Sequence, residues 1–148
     1  MKNAVIGIGN VLRADDGVGI HVVQRLEDEI PGCEAVDMAT AGIDLLQQIR
    51  GREKVVIVDA IVTGSEPGTI HWISNHEMRS PAFEKTHSLN LYGTIMLGQL
   101  LYPEEMPEKL VILGVEAWDV ESFKAELSPR VEQAIPEIIG AIKLEFSD

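Results

Sequence analysis

The sequence predicts an α/β fold of three layers, in which a mostly parallel, mixed sheet of five strands lies between helices. Short apolar runs alternate with segments whose apolar residues recur at helical spacing, and the resulting element order is βαβαββαβα. The Val55–Val58 run consists of four consecutive β-branched residues, which is typical of a strand buried on both faces. No linker or internal repeat divides the 148 residues, so we expect one domain over residues 1–148.

The strands are predicted from apolar runs that end at glycine, proline or polar residues. The first run leads into the tight loop Gly7–Asn10, and the central run ends at Asp59. Pro67–Gly68 marks a turn before the fourth run. The predicted strands are Ala4–Ile8, Glu34–Met38, Val55–Val58, Thr69–Ile73 and Leu110–Val115.

Four helices are predicted from the spacing of apolar residues. The first begins at Gly17, with Asp15 or Asp16 where an N-cap belongs, and the third begins at His87. Pro136 lacks a backbone donor and is expected to bend or delay the last helix. The second helix is Ile43–Ile49, and the apolar faces of the others are Val18, Val22, Leu26 and Ile30; Leu89, Tyr92, Met96, Leu97, Leu100 and Leu101; and Val131, Ile135, Ile138, Ile142 and Phe146.

The composition excludes several classes of protein. Lys and Arg number 12 against 24 Asp and Glu, so the formal net charge of −12 disfavours nucleic acid and anionic membrane surfaces as partners. No apolar run approaches the ~20 residues of a membrane span, and the N-terminus lacks the features of a signal peptide. Cys33 is the single cysteine, so an intrachain disulfide is impossible, and we expect it to pack in the core. We expect a cytoplasmic monomer.

Acidic residues follow two predicted strands. Asp15 and Asp16 come after the loop of the first strand, and Asp59 ends the most apolar strand. The carboxyl ends of strands in an open α/β sheet form the edge at which ligands bind. One acid suffices to cap the first helix, which leaves the second without a structural explanation. An aspartate at the end of a buried strand is costly unless it is paired, which makes Asp59 a candidate functional residue.

Of the four histidines, His87 is the candidate metal ligand. It lies at the start of a predicted helix after a long polar loop, whereas His21, His71 and His76 occupy positions typical of surface or core histidines. Two carboxylates and one imidazole at one edge would suit a borderline divalent cation such as nickel or zinc.

The Gly7–Gly9 loop leaves a nucleotide- or phosphate-binding module open as an alternative. It carries two glycines of a dinucleotide fingerprint without the third, and no basic residue stands near it except Arg13. The chain contains no GxxxxGK[ST] phosphate loop, and no GxSxG motif of a serine hydrolase.

The chain resembles the endopeptidases that mature nickel-iron hydrogenases. The likeness begins with Gly7–Asn10 and Asp15–Gly19 and continues in order along nearly the whole chain. Its further segments are Thr40–Gly42, Val58–Ala60, Pro67–Thr69, His87–Leu89, Gly114–Glu116 and Leu127–Pro129. The resemblance implies a twisted, largely parallel sheet between helices. It also implies a protease that removes the C-terminal extension of a hydrogenase large-subunit precursor after nickel insertion.

The resemblance also assigns roles to residues. Asp16, Asp59 and His87 match the metal-contacting residues of the family, and either Asp16 or Asp59 is the candidate general base. The loop that contains Thr40, Ala41 and Gly42 is expected to hold the extended tail of the substrate. Nickel is expected to arrive on the precursor, and zinc or cadmium could replace it in a crystal.

Two departures from the family pattern affect these assignments. Family members often carry Glu at the position of Asp16, whose side chain is one methylene shorter. They commonly carry Asp-Gly-Gly where this chain has Asp37–Ala39, so the loop is restricted to ordinary backbone angles here. A non-catalytic nickel chaperone that uses the same three ligands is a further alternative.

Overall fold

A computed structural model describes residues 2–74 and 91–147. It confirms the predicted α/β fold and the predicted order of elements. The strands are β1 (Asn3–Ile8), β2 (Cys33–Met38), β3 (Lys54–Ile61), β4 (Ile70–Ile73) and β5 (Lys109–Glu116). The helices are α1 (Val18–Leu26), α2 (Ile43–Ile49), α3 (Leu91–Leu101) and α4 (Pro129–Phe146), and a 3₁₀ turn, Ala14–Gly17, precedes α1.

The strands form one mixed sheet in the order β2-β1-β3-β5-β4. β1, β2, β3 and β5 are parallel, and β4 is antiparallel to β5 at the edge. The chain passes from β1 to β2 on one side and then crosses to β3 on the other side. Strand order therefore reverses between β1 and β3, which is the position at which α/β sheets bind ligands.

Helices cover both faces of the sheet and form two apolar clusters. In β3, Val56 and Val58 pack in the cluster with α1 and α4, whereas Val55 and Ile57 pack in the cluster with α2 and α3. All four side chains are fully buried. The prediction of a strand buried on both faces is confirmed.

All five strands differ from the predicted bounds at one or both ends, and two helix ends also differ. β3 extends beyond Asp59 to Ile61, because its pairing with β5 continues to its last residue, whereas its pairing with β1 stops at Val58. α1 ends at Leu26, where Glu27 adopts a positive φ of 42°. Pro136 does not delay α4, which begins seven residues earlier at a proline suited to the first helical turn.

The predicted apolar face of α3 is wrong. Leu91, Thr94, Ile95 and Gly98 are the buried residues, whereas Tyr92, Leu100 and Leu101 are exposed and Met96 and Leu97 are half-buried. The helix is apolar on most sides, so periodicity does not identify its buried face. Gly98 does, because a Cβ there would lie 2.7 Å from atoms of Leu46 and Met106. Leu89 and His87 lie outside the described residues.

Within residues 2–74 and 91–147, no helix combines the length and the apolar character needed to cross a membrane.

Candidate functional site

Glycines allow the start of α1 to lie directly on the ends of β1 and β3. A Cβ at Gly19 would lie 2.3 Å from the carbonyl oxygen of Val58, and one at Gly7 would lie 2.1 Å from the carbonyl oxygen of Gly19. Gly9 has a φ of +140°, and a Cβ there would lie 2.0 Å from the carbonyl oxygen of Asp16. Only glycine fits these backbone contacts. They hold the turn that carries Asp16 against β3.

Asp16 and Asp59 therefore lie at the same edge of the sheet, where strand order reverses. Asp16 is 8% exposed, and its Oδ2 accepts the backbone N–H of Asn10 at 2.9 Å. Asp59 is fully buried, follows the last residue of β3 paired with β1, and accepts the N–H of Ala60 at 2.8 Å. Two buried carboxylates from distant parts of the chain are thus held by backbone N–H groups at one edge of the sheet. Such a pair can contact a cation or activate a water molecule.

Asp15 does not cap α1, so the prediction that one acid of the pair is an N-cap is wrong. Gly17 occupies the N-cap position, and no side chain caps the helix. The fully buried Asp15 carboxylate instead accepts the N–H groups of Trp118 and Asp119 at 2.9 Å. It also accepts the N–H of Ser128 at 2.7 Å and its hydroxyl at 2.8 Å. Asp15 joins the 3₁₀ turn to the loop after β5 and to the start of α4.

Glu116 is a further buried acid at this edge, and the sequence analysis identified it only as part of the family resemblance. It is 1% exposed and accepts the N–H groups of Thr63 at 2.8 Å and Gly64 at 3.2 Å. Its Oε1 lies 3.1 Å from Nε2 of His71 and accepts the Thr63 hydroxyl at 2.5 Å. Glu116 therefore holds the loop between β3 and β4. The signal that identified Asp59, an acid at the end of an apolar run, applied equally to Glu116.

His71 is closer to the candidate site than its sequence position indicated. Gly114 of β5 pairs with Asp59 on one side and with His71 on the other. The three residues form one row across the carboxyl edge of the sheet. His71 is nevertheless tied to Glu116, so we assign it a structural role.

A groove of about 290 Å³ lies beside Asp16, between the ends of β1 and β2. The loop Gly9–Val11 forms one wall and Asp37–Ala39 forms another. Asn10 lines this groove and also donates its N–H to Asp16. The segment Thr40–Gly42, predicted to bind substrate, leads directly from the groove into α2. The groove is therefore joined to Asp16 through Asn10, and the role of Thr40–Gly42 in substrate binding stays a prediction.

His87 and His76 lie outside the described residues, so the three-ligand site stays a prediction. Within residues 2–74 and 91–147, no cluster of three or more His, Cys, Asp or Glu residues is placed to hold a metal ion. His21 is half-buried on α1, as expected for an ordinary helix residue. Cys33 packs in the core, and burial raises the pKa of its thiol to about 11. The prediction that Cys33 is a packing residue is confirmed.

Solved structures of hydrogenase maturation proteases share this fold. The hydrogenase maturating endopeptidase HybD from Escherichia coli superposes with a TM-score of 0.81 and 31% identity, over 96% of this chain and 90% of that chain. The [NiFe] hydrogenase maturation protease HybD from Thermococcus kodakarensis has the same TM-score at 22% identity, over 99% and 100% of the two chains. At that lower identity the likeness shows the fold alone.

Sequence comparison identifies the family. The hydrogenase 2 maturation protease of Escherichia coli (strain K12) is 29% identical over 150 residues, which span 97% of this chain and 92% of the relative. The hydrogenase expression/formation protein HupD of Rhizobium leguminosarum bv. viciae is 30% identical over 144 residues, which span 91% and 69%. The family model of HycI, described as hydrogenase maturation protease, matches residues 20–145. The chain thus belongs to the hydrogenase maturation protease family.

Proposed function

We propose that this protein is an endopeptidase that removes the C-terminal extension of a nickel-iron hydrogenase large-subunit precursor after nickel insertion. The observation that carries the proposal is the placement of Asp16 and Asp59 at the reversal of strand order, with a groove that begins at Asn10. An extended tail in that groove would pass Asn10, whose N–H donates to the Asp16 carboxylate. Action in the cytoplasm and a monomeric state stay predictions.

In this proposal, the two carboxylates have different roles in hydrolysis. One, Asp16 or Asp59, would accept a proton from the attacking water as general base. The other would contact the nickel that the precursor carries and hold the tail in place. Asp16 is the more accessible of the two, because it is 8% exposed whereas Asp59 is fully buried.

In the proposed reaction, nickel arrives bound to the precursor. Two carboxylates and the imidazole of His87 form an incomplete, oxygen-rich ligand set, which should bind nickel weakly until cysteine thiolates of the precursor complete it. Bound there, the ion would also act as a Lewis acid on a nearby carbonyl group. Such a ligand set would bind nickel-loaded precursor more tightly than metal-free precursor. Cleavage would then occur only after nickel has been inserted.

The test compares tail removal from nickel-loaded and metal-free precursor by mass spectrometry, after the protease has been stripped with a chelator. We expect cleavage of the loaded precursor alone. Equal cleavage of both would show that nickel does not control the reaction. Nickel binding without any loss of the tail would instead indicate the chaperone.

Asp16→Asn removes the negative charge of this side chain and keeps an oxygen that can accept the hydrogen bond from Asn10. The amide oxygen of asparagine can still accept the Asn10 N–H, so the variant should fold normally and lose cleavage. Asp28→Asn is the matched control, because Asp28 is exposed and lies outside the groove that begins at Asn10. Wild-type cleavage by Asp16→Asn would exclude this carboxylate from the reaction.

His87→Ala tests the predicted third ligand. The sequence predicts His87 at the start of a helix beside a polar loop, where a side chain should contribute about 1 kcal/mol or less to the free energy of unfolding. The variant should therefore melt near the wild-type temperature and fail to cleave nickel-loaded precursor. Cleavage at the wild-type rate would show that the ligand assignment is wrong.

A further inference from the structure

Three large apolar side chains are exposed on the two loops that flank the acids of the candidate site. Leu12 is 60% exposed, Trp118 77% and Phe123 79%. Leu12 precedes the 3₁₀ turn that carries Asp16, and the other two follow β5. We call these three residues the apolar loop surface.

Hydrogen bonds between the two loops hold the apolar loop surface in place. The N–H of Ala14 donates to the carbonyl of Lys124 at 2.9 Å, and the N–H of Lys124 donates to the carbonyl of Leu12 at 3.0 Å. The guanidinium of Arg13 lies 4.7 Å from the centre of the Phe123 ring. The N–H of Trp118 donates to the buried Asp15 carboxylate. The backbone that carries these side chains is therefore ordered, and little backbone entropy is left to lose on binding.

A cavity of about 520 Å³ opens beside Trp118. Pro67 and Pro129 line it together with Trp118, and Arg130 lies at its wall in an ion pair with Glu66 at 2.5 Å. Ser65, Glu66 and Ser128 also line the cavity, so it suits a side chain with an apolar body and a polar end. Tryptophan at such a pocket is a frequent source of binding energy between proteins.

The groove beside Asp16 is too small to account for recognition of a protein substrate by itself. Specific protein complexes bury about 800 Å² on each partner, which requires about 20 residues or more. The groove lies on the β1–β2 side of Asp16, whereas Trp118 and Phe123 follow β5. Leu12 lies between them, because it directly follows the groove wall Gly9–Val11. A precursor whose tail lies in the groove has its folded part close to the same edge of the sheet. That folded part is therefore the partner we expect at the apolar loop surface.

We propose that the apolar loop surface and the cavity beside Trp118 dock the folded body of the large-subunit precursor, while the groove beside Asp16 takes its tail. This inference rests on the proposed function. The protein would then bind its substrate both in the groove and at the apolar loop surface, and Trp118 would determine affinity without taking part in bond cleavage.

The test measures kcat and KM for nickel-loaded precursor, and Kd for metal-free precursor, with wild type, Trp118→Ala and Phe123→Ala. Trp118 is exposed and its backbone contact to Asp15 does not need the side chain, so the variants should keep the wild-type melting temperature. We expect Trp118→Ala to raise KM and Kd by about tenfold or more and to leave kcat unchanged. Leu144→Ala is the control. Its side chain is 75% exposed on the last turn of α4, next to Glu145, which pairs with Lys109 at the opposite edge of the sheet.

The outcomes separate this inference from the proposed function. Unchanged KM and Kd in Trp118→Ala, or a loss of kcat alone, would overturn docking at this surface. If wild type binds the precursor but never cleaves it, the proposed function fails, and a weaker Kd in Trp118→Ala still supports docking. If wild type does not bind the precursor, docking is overturned.

Discussion

Replacing Gly19 by alanine should destabilise the protein, although the same change at another helical glycine should stabilise it. A Cβ at Gly19 would lie 2.3 Å from the carbonyl oxygen of Val58 and 2.8 Å from that of Ile8. Both neighbours are backbone atoms of central strands, so α1 would have to move away by about 0.7 Å to reach even 3.0 Å. At Gly140 in α4, nothing lies within 4 Å of the added carbon.

The two substitutions share one favourable effect and differ in one unfavourable effect. Alanine in a helix is more favourable than glycine by up to about 1 kcal/mol at either position. Inserting a methyl group into packed structure costs about 1–3 kcal/mol, and contact with two strands places Gly19→Ala at the upper end. We therefore expect Gly19→Ala to lose about 2 kcal/mol and Gly140→Ala to gain about 0.5–1 kcal/mol.

Thermal unfolding provides the measurement. For a domain near 150 residues, 1 kcal/mol corresponds to about 2–4 °C in Tm, so Gly19→Ala should melt about 4–8 °C below wild type. Gly140→Ala should melt about 1–4 °C above it. Gly19→Ala should also lose cleavage activity, because a shift of ~1 Å in a reacting group can cost ~100-fold in rate. A stabilising effect of Gly19→Ala, like that at Gly140, would refute the close packing of α1 on the sheet.

The remaining predictions concern three other buried or paired groups. In Asp15→Asn, an amide N–H₂ would face a backbone N–H donor, so the free energy of unfolding should fall by about 2–4 kcal/mol. Urea unfolding would measure this loss, and an unchanged midpoint would contradict the hydrogen bonds described for Asp15. The hydrogen bond from Arg25 lowers the pKa of the Glu132 carboxyl below its ordinary 4.5, so the pair stabilises the fold above that pH and less as pH falls through the lowered value. Both side chains are nearly half exposed, so Glu132→Gln should cost up to about 1 kcal/mol at pH 7. The cost should fall as pH drops below 4.5 through the lowered pKa, and a Tm difference independent of pH would count against the pair. Because burial raises the pKa of Cys33 to about 11, a thiol reagent at pH 8 should label it only after unfolding in urea, which mass spectrometry would detect.

Element order and the central strands could be predicted because their signals are local. The Val55–Val58 run indicates a strand buried on both faces without knowledge of its neighbours, and Ile43–Ile49 has the bounds that its pattern predicts. The face of α3 could not be predicted, because a helix that is apolar on most sides is oriented by its neighbours. Gly98 contacts Leu46 and Met106, which are distant in sequence.

The roles of the neighbouring acids depend on contacts that the sequence does not display. Asp15 and Asp16 have the same chemistry, and either could cap a helix when only the local sequence is considered. Their roles differ because Ser128, 113 residues from Asp15, donates two hydrogen bonds to the Asp15 carboxylate. For Asp59 the local signal sufficed, since a carboxylate after an apolar run indicated the carboxyl edge correctly.

The bonds of Asp15 have a consequence for the order in which this protein can fold. β1 and α1 contact each other and are close in sequence, so they can associate early. The turn between them reaches its final position only when the loop after β5 and the start of α4 supply the donors for Asp15. Before α4 docks, the buried Asp15 carboxylate would lack the two hydrogen bonds from Ser128, and the turn that carries Asp16 would be held less firmly. A folding intermediate without α4 would therefore contain most of the sheet but no assembled site, and hydrolysis would begin only when the last helix has packed.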